Sequence, residues 1–298
     1  MAATGERIIV TGGSGYIGKF LLRALYDAQH SIVVVGRPGA TIEGPAASNF
    51  IPYQRSAAEL ARALATFKPT LVYHLATHFR AEHLTSDIEP MVDANLTFGT
   101  ALLEAVAQHR PTFINVGTAW QNYEGITGRA NCLYAATKNA FHEILAFYAD
   151  AHQLNAATLQ LSDVYGPEDH RKKLFWYLAQ AASTGEALKL SPGEQLLDLL
   201  HVSDAVAALQ AVATHLQARG GTTVQQFAAS SGSLHTLRTV VDLFQEALGR
   251  PVPASWGSRP YRAREIMRPT IPLPPPPGWS AKVTLATGLR DLVSKELP

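Results

Sequence analysis

The chain has 298 residues, enough at roughly 150 residues per domain for one large domain or a large domain with a smaller partner. Hydrophobic residues make up 47% and charged residues 16%, the latter below the roughly 25% usual for soluble domains, which excludes disorder driven by excess charge. Lys and Arg number 25 against 24 Asp and Glu, a net charge of +1, so no whole-molecule field draws a nucleic acid or an anionic membrane, and neither partner is expected.

The single cysteine, Cys132, excludes an internal disulfide and a thiolate metal site, and the cytoplasm is the expected compartment. Met1 to Arg7 has no basic segment leading into an apolar stretch. No run of about 18 uninterrupted apolar residues occurs, so neither a leader nor a membrane span is expected.

From Arg7 onward short β-branched runs alternate with longer helical patterns, the order of an α/β fold with a doubly wound parallel sheet. Ile8 to Val10 reads as a strand, Ile17 to Ala28 as a helix, Ile32 to Val35 as a strand, Ala57 to Ala65 as a helix and Leu71 to Tyr73 as a strand. Pro90 suits a helix's first turn, and Val92, Leu96, Leu103 and Val106 follow near helical spacing before Pro111 ends the run. Phe113 to Val116 reads as a strand, Tyr134 to Tyr148 as a helix with Phe141, Ile144, Leu145 and Tyr148 on one side, and Thr158 to Leu161 as a strand. A sheet of six parallel strands is expected.

Beyond Tyr165-Gly166-Pro167 the pattern becomes irregular, with helices from about Lys172 to Ser183 and from Asp204 to Gln217 and a turn at Pro192-Gly193. This half reads as a smaller mixed α/β module. Residues 1–167 are expected to form the first domain, also receiving about 201–228, and 168–298 the second. Five prolines between Ile271 and Gly278 lock φ and remove donors, so a stiff crossing strap is expected there, with a ligand for a proline-binding domain as the alternative.

Thr11-Gly12-Gly13-Ser14-Gly15-Tyr16-Ile17-Gly18 stands between the first strand and the first helix. Gly12 and Gly15 let the backbone turn sharply against a pyrophosphate, Gly18 lets helix and sheet approach, and the helix start offers unpaired N–H groups to the anion. This position predicts dinucleotide binding. The second strand runs into Gly36-Arg37. NAD-preferring folds usually carry a carboxylate there for the ribose 2′-hydroxyl; here it is missing and an arginine is at hand for a 2′-phosphate, so NADP is expected, with NAD as the alternative.

Tyr134 and Lys138 share one helical face at four-residue spacing. A tyrosine is a poor acid or base at neutral pH, but a nearby ammonium and a positive nicotinamide ring favour its phenolate and pull its pKa toward the working range. Thr118, just past a strand, is a second hydroxyl for the substrate oxygen. His74 and His78 straddle a strand end with no joining cysteine or carboxylate cluster, so no metal is expected, and Cys132 has no legible histidine partner for nucleophilic work.

On these residues the sequence resembles the extended short-chain dehydrogenase/reductase superfamily, in its NAD(P)-dependent nucleotide-sugar epimerase, dehydratase and ketoreductase group. Thr11 to Gly18 looks like the TGxxGxxG loop, His74-Leu75-Ala76-Thr77 like a segment lining the cofactor, and Asn95 with Gly99-Thr100 like the N-x-x-G-T helix. Tyr134 and Lys138 match YxxxK, Tyr165-Gly166-Pro167 matches the turn into the sugar-nucleotide domain, and Gly193-Glu194-Gln195 and His201 to Asp204 match later landmarks.

The resemblance implies a Rossmann sheet with a smaller substrate domain. It implies cofactor contacts at Gly12, Gly15, Tyr16, Ile17, Gly18, Arg37, Ala76, Thr77, Asn95, Tyr134 and Lys138, catalysis by Thr118, Tyr134 and Lys138, and a homodimer. Phe141, Leu145 and Tyr148 are candidates for the dimer seam. A nucleotide-diphosphate sugar is the expected substrate, with His78, Thr118, Asp163, Arg171, Lys172 and Arg262 as its candidate contacts.

Departures from the group pattern narrow the chemistry. The 4,6-dehydratases follow the catalytic hydroxyl with Asp-Glu, whereas Ala119-Trp120 follow Thr118 here, so dehydration lacks its carboxylates. No acidic residue stands near Tyr53-Gln54-Arg55 for the adenine, Asp163 replaces a common Asn, and Gln160 a usual Arg. The segments Asp163 to Lys173, Ser191 to Leu199 and Trp256 to Glu265 resemble those of nucleotide-deoxysugar 4-ketoreductases. An NADPH-dependent 4-ketoreductase is the first expectation, an NAD-dependent 4-epimerase the second, and a non-catalytic dinucleotide sensor, which would not need the Tyr–Lys pair, the third.

Overall fold

The computed structural model describes residues 5–26 and 30–296, so the predicted helix end at Ala28 and the first residues of the Met1 to Arg7 stretch lie outside the described residues. In chain order the large layer is built from β1 (Arg7–Thr11), α1 (Tyr16–Tyr26), β2 (Ser31–Gly36), β3 (Phe50–Pro52), α2 (Ala57–Leu64), β4 (Leu71–His74), α3 (Ile88–Val92), α4 (Phe98–Val106), β5 (Thr112–Thr118), α5 (Leu133–His152) and β6 (Ala156–Leu161). The chain continues through β7 (Asp163–Tyr165), α6 (Leu174–Thr184), β8 (Leu188–Lys189), β9 (Leu196–His201), α7 (Val202–Arg219), β10 (Gln225–Ala229), β11 (Leu234–Thr236), α8 (Leu237–Leu248), β12 (Ala254–Ser255) and α9 (Leu285–Glu296).

Strands such as β1 and β5 are buried along nearly their whole length because both faces of the sheet are covered by helices. The order is β10-β6-β5-β4-β1-β2-β3, parallel at every pairing. One face packs on α1 and α7 through Leu21, Leu25, Leu209 and Val212. The other packs on α2, α4 and α5 through Leu60, Leu102, Phe141 and Leu145. Strand order reverses between β1 and β4, where Thr11 lies beside both Val35 and His74. Ligands of open α/β sheets bind in the crevice at such a point.

Among the described residues the sheet has seven strands, where six were expected and five were named from the sequence; β3 and β10 are the two additional ones. β3 is three residues ending in proline, and β10 reads Gln-Gln-Phe-Ala-Ala with no β-branched residue, so neither carries a strand signature. The long helix expected after Pro90 is interrupted. A π-helical turn, Asp93–Thr97, separates α3 from α4 and turns Asn95 inward, leaving it 1% exposed.

The expected dimer seam is also corrected. Phe141, Leu145 and Tyr148 are 1%, 0% and 8% exposed, because the side of α5 that carries them closes on the protomer's own core. The Tyr148 hydroxyl donates to Glu104 at 2.7 Å.

β9 pairs parallel with β7 and antiparallel with β11, and a β8–β12 pair lies beyond them. This smaller layer encloses a core of its own around Tyr165, Phe175, Leu178, Val240, Phe244 and Leu289. The proline-rich strap crosses the surface, largely exposed with Pro276 buried, and the Pro274 carbonyl accepts from the Ala228 amide of β10 at 2.9 Å at an otherwise open sheet edge. It is anchored further on, where the Asp204 carboxylate of α7 accepts from the Lys282 and Val283 amides at 3.0 and 2.9 Å.

Candidate active site

The glycine loop closes tightly at the switch point. Gly12 has φ +71°, and a Cβ there would stand 2.8 Å from the Ala76 nitrogen; one on Gly18 would lie 2.1 Å from the Gly12 carbonyl oxygen. The Gly15 amide donates to that oxygen at 2.9 Å. Gly13, passed over in the sequence, has the same constraint, with Leu22 and Val34 methyls 2.9 Å from where its Cβ would be. The Thr11 hydroxyl ties the strand ends together, accepting from the Ala76 amide at 3.1 Å and bonding His74 Nδ1 at 2.9 Å. His74 is fully buried, and burial pulls its imidazole pKa down to about 3, with Lys138 adding to the effect.

Ile17 packs against the core. Tyr16 donates to the Pro167 carbonyl at 3.1 Å. Arg37, exposed just beyond β2, has no side-chain hydrogen bond or ion pair among the described residues. A loop with no room for a Cβ at Gly12 or Gly18, the N-terminal end of α1 beside it and an uncommitted guanidinium fit a phosphate-bearing dinucleotide.

The loop after β4 is held by Asn95. Its Oδ1 accepts from the Thr77 hydroxyl at 2.9 Å and the His78 amide at 2.7 Å, and its Nδ2 donates to the His78 carbonyl at 3.1 Å and the Thr137 hydroxyl at 2.9 Å. Both lone pairs and both hydrogens are used, so Asn95 braces the site from behind instead of offering its amide to a ligand. The His78 ring turns toward Asp87, 3.7 Å away.

Tyr134 lies in the first turn of α5 and is buried. Burial pushes its phenol pKa well above the usual range, Cys132 and Asp163 push the same way, and the Thr77 hydroxyl and Arg171 oppose them. The lowering expected from Lys138 is not found: the opposing influences on the phenol come from Thr77 and Arg171, and loss of water around a phenolate outweighs both. At neutral pH the phenol is protonated, as an unperturbed tyrosine also is. Lys138 is 2% exposed, forms no ion pair among the described residues, and burial pulls its pKa down to about 8. Thr118 ends β5. Its hydroxyl accepts from the Trp120 amide at 3.3 Å and its amide donates to Gln121, whose side chain reaches Asn139 of α5 at 2.7 Å. Burial raises the Cys132 thiol, which is thus no ready nucleophile.

The candidate substrate residues divide. Asp163 opens β7, and its charge is felt at both Tyr134 and Lys173. Arg171 is clamped by Asp169 in two 2.6 Å bonds, donates to the Val164 carbonyl at 3.0 Å and lies 4.3 Å over the Tyr16 ring. This guanidinium is already committed. Lys172 is exposed and faces the Trp176 indole at 5.5 Å. The next residue, Lys173, which sequence reasoning did not select, is half-buried with its ammonium 5.4 Å over Phe79, and burial lowers its pKa. Arg262 stands 5.9 Å over Trp120. Nothing in a Lys-Lys pair told these two lysines apart; only the start of α6 at Leu174 does.

A parallel sheet with a glycine loop at its switch point, and a tyrosine and lysine buried on the helix beside it, is the architecture of an NAD(P)-dependent enzyme of the extended short-chain dehydrogenase/reductase type. Residues 8–225 match the model of the NAD dependent epimerase/dehydratase family, and the chain belongs to that family. CDP-abequose synthase of Yersinia pseudotuberculosis is 28% identical over 268 residues, covering 88% of this chain and 91% of that protein. UDP-glucose 4-epimerase of Mycolicibacterium smegmatis is 26% identical over 321 residues, covering 96% and 97%. The solved UDP-glucose 4-epimerase of Thermus thermophilus, in complex with NAD, shares the fold with a TM-score of 0.81 at 24% identity, over 97% of this chain and 98% of that one.

The burial of Lys138 has a measurable cost. Its pKa falls from 10.5 unfolded to about 8 folded, so the folded state is penalised below about pH 8 and the penalty is relieved as pH rises toward 10.5. Lys138→Met should raise the melting temperature of the cofactor-free protein at pH 7, by the equivalent of about 2–4 kcal/mol, and the gap should narrow above pH 8. Calorimetry at pH 7 and 9.5 checks this; a less stable variant at pH 7 would contradict it.

Proposed function

We propose that this chain is an NADPH-dependent reductase of a nucleotide-linked 4-keto deoxysugar, with Tyr134 as the proton donor. The observation that carries the reading is the buried Tyr134–Lys138 pair at four-residue spacing on α5, in a site where Ala119 and Trp120, not two carboxylates, follow the Thr118 hydroxyl. Such a site can give a proton to a carbonyl oxygen but has no acid–base pair there to eliminate water. The likeness to CDP-abequose synthase, spread over most of both chains, supports the same class.

When bound, the nicotinamide cofactor supplies the hydride. The glycine loop from Gly12 to Gly18 receives the pyrophosphate, Arg37 the 2′-phosphate, Ala76 and Thr77 line the cofactor's path, and Lys138 holds the nicotinamide ribose. Thr118 hydrogen-bonds the substrate oxygen while Tyr134 passes it a proton, so ketone, hydride and proton become an alcohol. Lys172, Lys173 and Arg262, none of which forms an ion pair among the described residues, are the cations available for the diphosphate. A cytoplasmic enzyme fits the free thiol of Cys132.

A 4-epimerase is the second reading, favoured by the likeness to the Mycolicibacterium smegmatis epimerase across nearly the whole of both chains. We also propose a homodimer, now through Ile88, Val92 and Phe147, which are 39%, 39% and 64% exposed on α3 and α5.

Tyr134→Phe should lower kcat by about 10²- to 10⁴-fold while leaving cofactor affinity intact; turnover near wild type would overturn the assignment. Arg37→Ala should raise the KM for NADPH by about 10- to 150-fold and leave that for NADH nearly unchanged, the share of one charge-assisted contact. An equal loss for both cofactors would remove the basis for NADP. Native mass spectrometry of the purified protein should show a dimer without retained cofactor that takes up added NADPH. Retained NAD would favour the epimerase, and a monomeric mass would reject the pairing.

A further inference from the structure

Two aromatic side chains, one against Tyr134 and one against the first, are given no part in the proposed proton transfer or cofactor binding. Phe79, from the loop after β4, meets the Tyr134 ring edge-on, with centroids 4.9 Å apart and planes at 85°. Trp120, from the turn after β5, lies with its ring 5.5 Å from that of Phe79 at 58°. Although it touches both rings, Phe79 remains 37% exposed. It is thus an open apolar surface in direct contact with the proposed proton donor, and a ligand face that needs no hydrogen bonds would cover it better than water does.

The polar groups are arranged around this surface. The Lys173 ammonium lies 5.4 Å over Phe79 and the Arg262 guanidinium 5.9 Å over Trp120, so positive charge for an anionic substrate end borders the rings. Neither ring presents an acceptor, and their single polar atom, the Trp120 indole nitrogen, can only donate. A sugar hydroxyl pressed against them leaves water without recovering the bond that its own proton made.

We propose that Phe79 and Trp120 are specificity-determining residues: they form the wall of the sugar site that receives a deoxygenated flank of the substrate, hydrogen or methyl in place of hydroxyl or hydroxymethyl, next to the reacting carbon. This rests on the reductase reading given above, and names the side chains that choose its substrate. Discrimination against one added hydroxyl by an apolar wall is about 10- to 100-fold.

The test is run in the oxidative direction with NADP⁺ and NAD⁺, on a nucleotide-linked hexose and its 3-deoxy and 6-deoxy counterparts, each as CDP, dTDP, UDP and GDP derivatives. Wild type should prefer at least one deoxy substrate by about 10- to 100-fold in kcat/KM. Phe79→Ala and Trp120→Ala should bring that ratio toward unity, while Trp120→Phe, which keeps a ring, should preserve it. The ratio is independent of how much of a variant is folded, and Phe79→Leu serves where the alanine variant does not fold. Turnover of all three sugars at equal efficiency, or alanine variants that keep the wild-type ratio, overturns this inference and leaves the reductase reading standing. Turnover of none of them overturns both.

Discussion

The side chain of Asn95 is the joint on which the site depends. A π-helical turn places it inside the protein, and its four hydrogen bonds join the loop after β4 to α5. Thr77, bonded to Asn95, touches the Tyr134 phenol. Thr137, bonded to the same amide, accepts from Asn95 and donates to the Tyr134 carbonyl at 2.7 Å, one residue before Lys138. The brace therefore sets the register between the loop and both members of the Tyr–Lys pair. Because the amide has no unused donor or acceptor, any shift of one partner breaks a buried bond, and the arrangement is stiff.

That stiffness holds an unfavourable charge in place. Among the described residues Lys138 has no anion beside it, and its helix carries Phe141 and Leu145 into the apolar core one and two turns further on. Burial of these side chains, each worth about 1.5–3 kcal/mol, offsets the desolvation of the ammonium. Stability and readiness for a ligand thus oppose one another within a single helix.

Much of this was legible in the sequence because it rests on local rules. The glycine loop is short, its constraint is steric, and its place between a strand and a helix is fixed by hydrophobic period. Tyr134 and Lys138 share a face by helical spacing alone. What escaped depended on distant partners. β3 and β10 are strands only because β2 and β6 offer them edges. Arg171 looks like a free cation until Asp169 is seen to hold it. The apolar residues Phe141, Leu145 and Tyr148 look like a seam because spacing says which residues share a side but not which neighbour meets that side. The π turn has no sequence signature, since one extra residue in a helical run leaves its composition unchanged.

The proline-rich strap bears on how the chain is made. The last strand of the large sheet begins at residue 225, its outer edge is closed by residue 274, and the segment that anchors the closure reaches residues 282 and 283. A nascent chain can fold the glycine loop and the first strands long before this, but this border of the sheet stays unpaired until residues 274–283 have been made. Exposed strand borders on partly made domains are where neighbouring chains stick. Proline suits the task of closing this one, because a segment poor in amide donors can cap a strand without becoming a strand on which another would build.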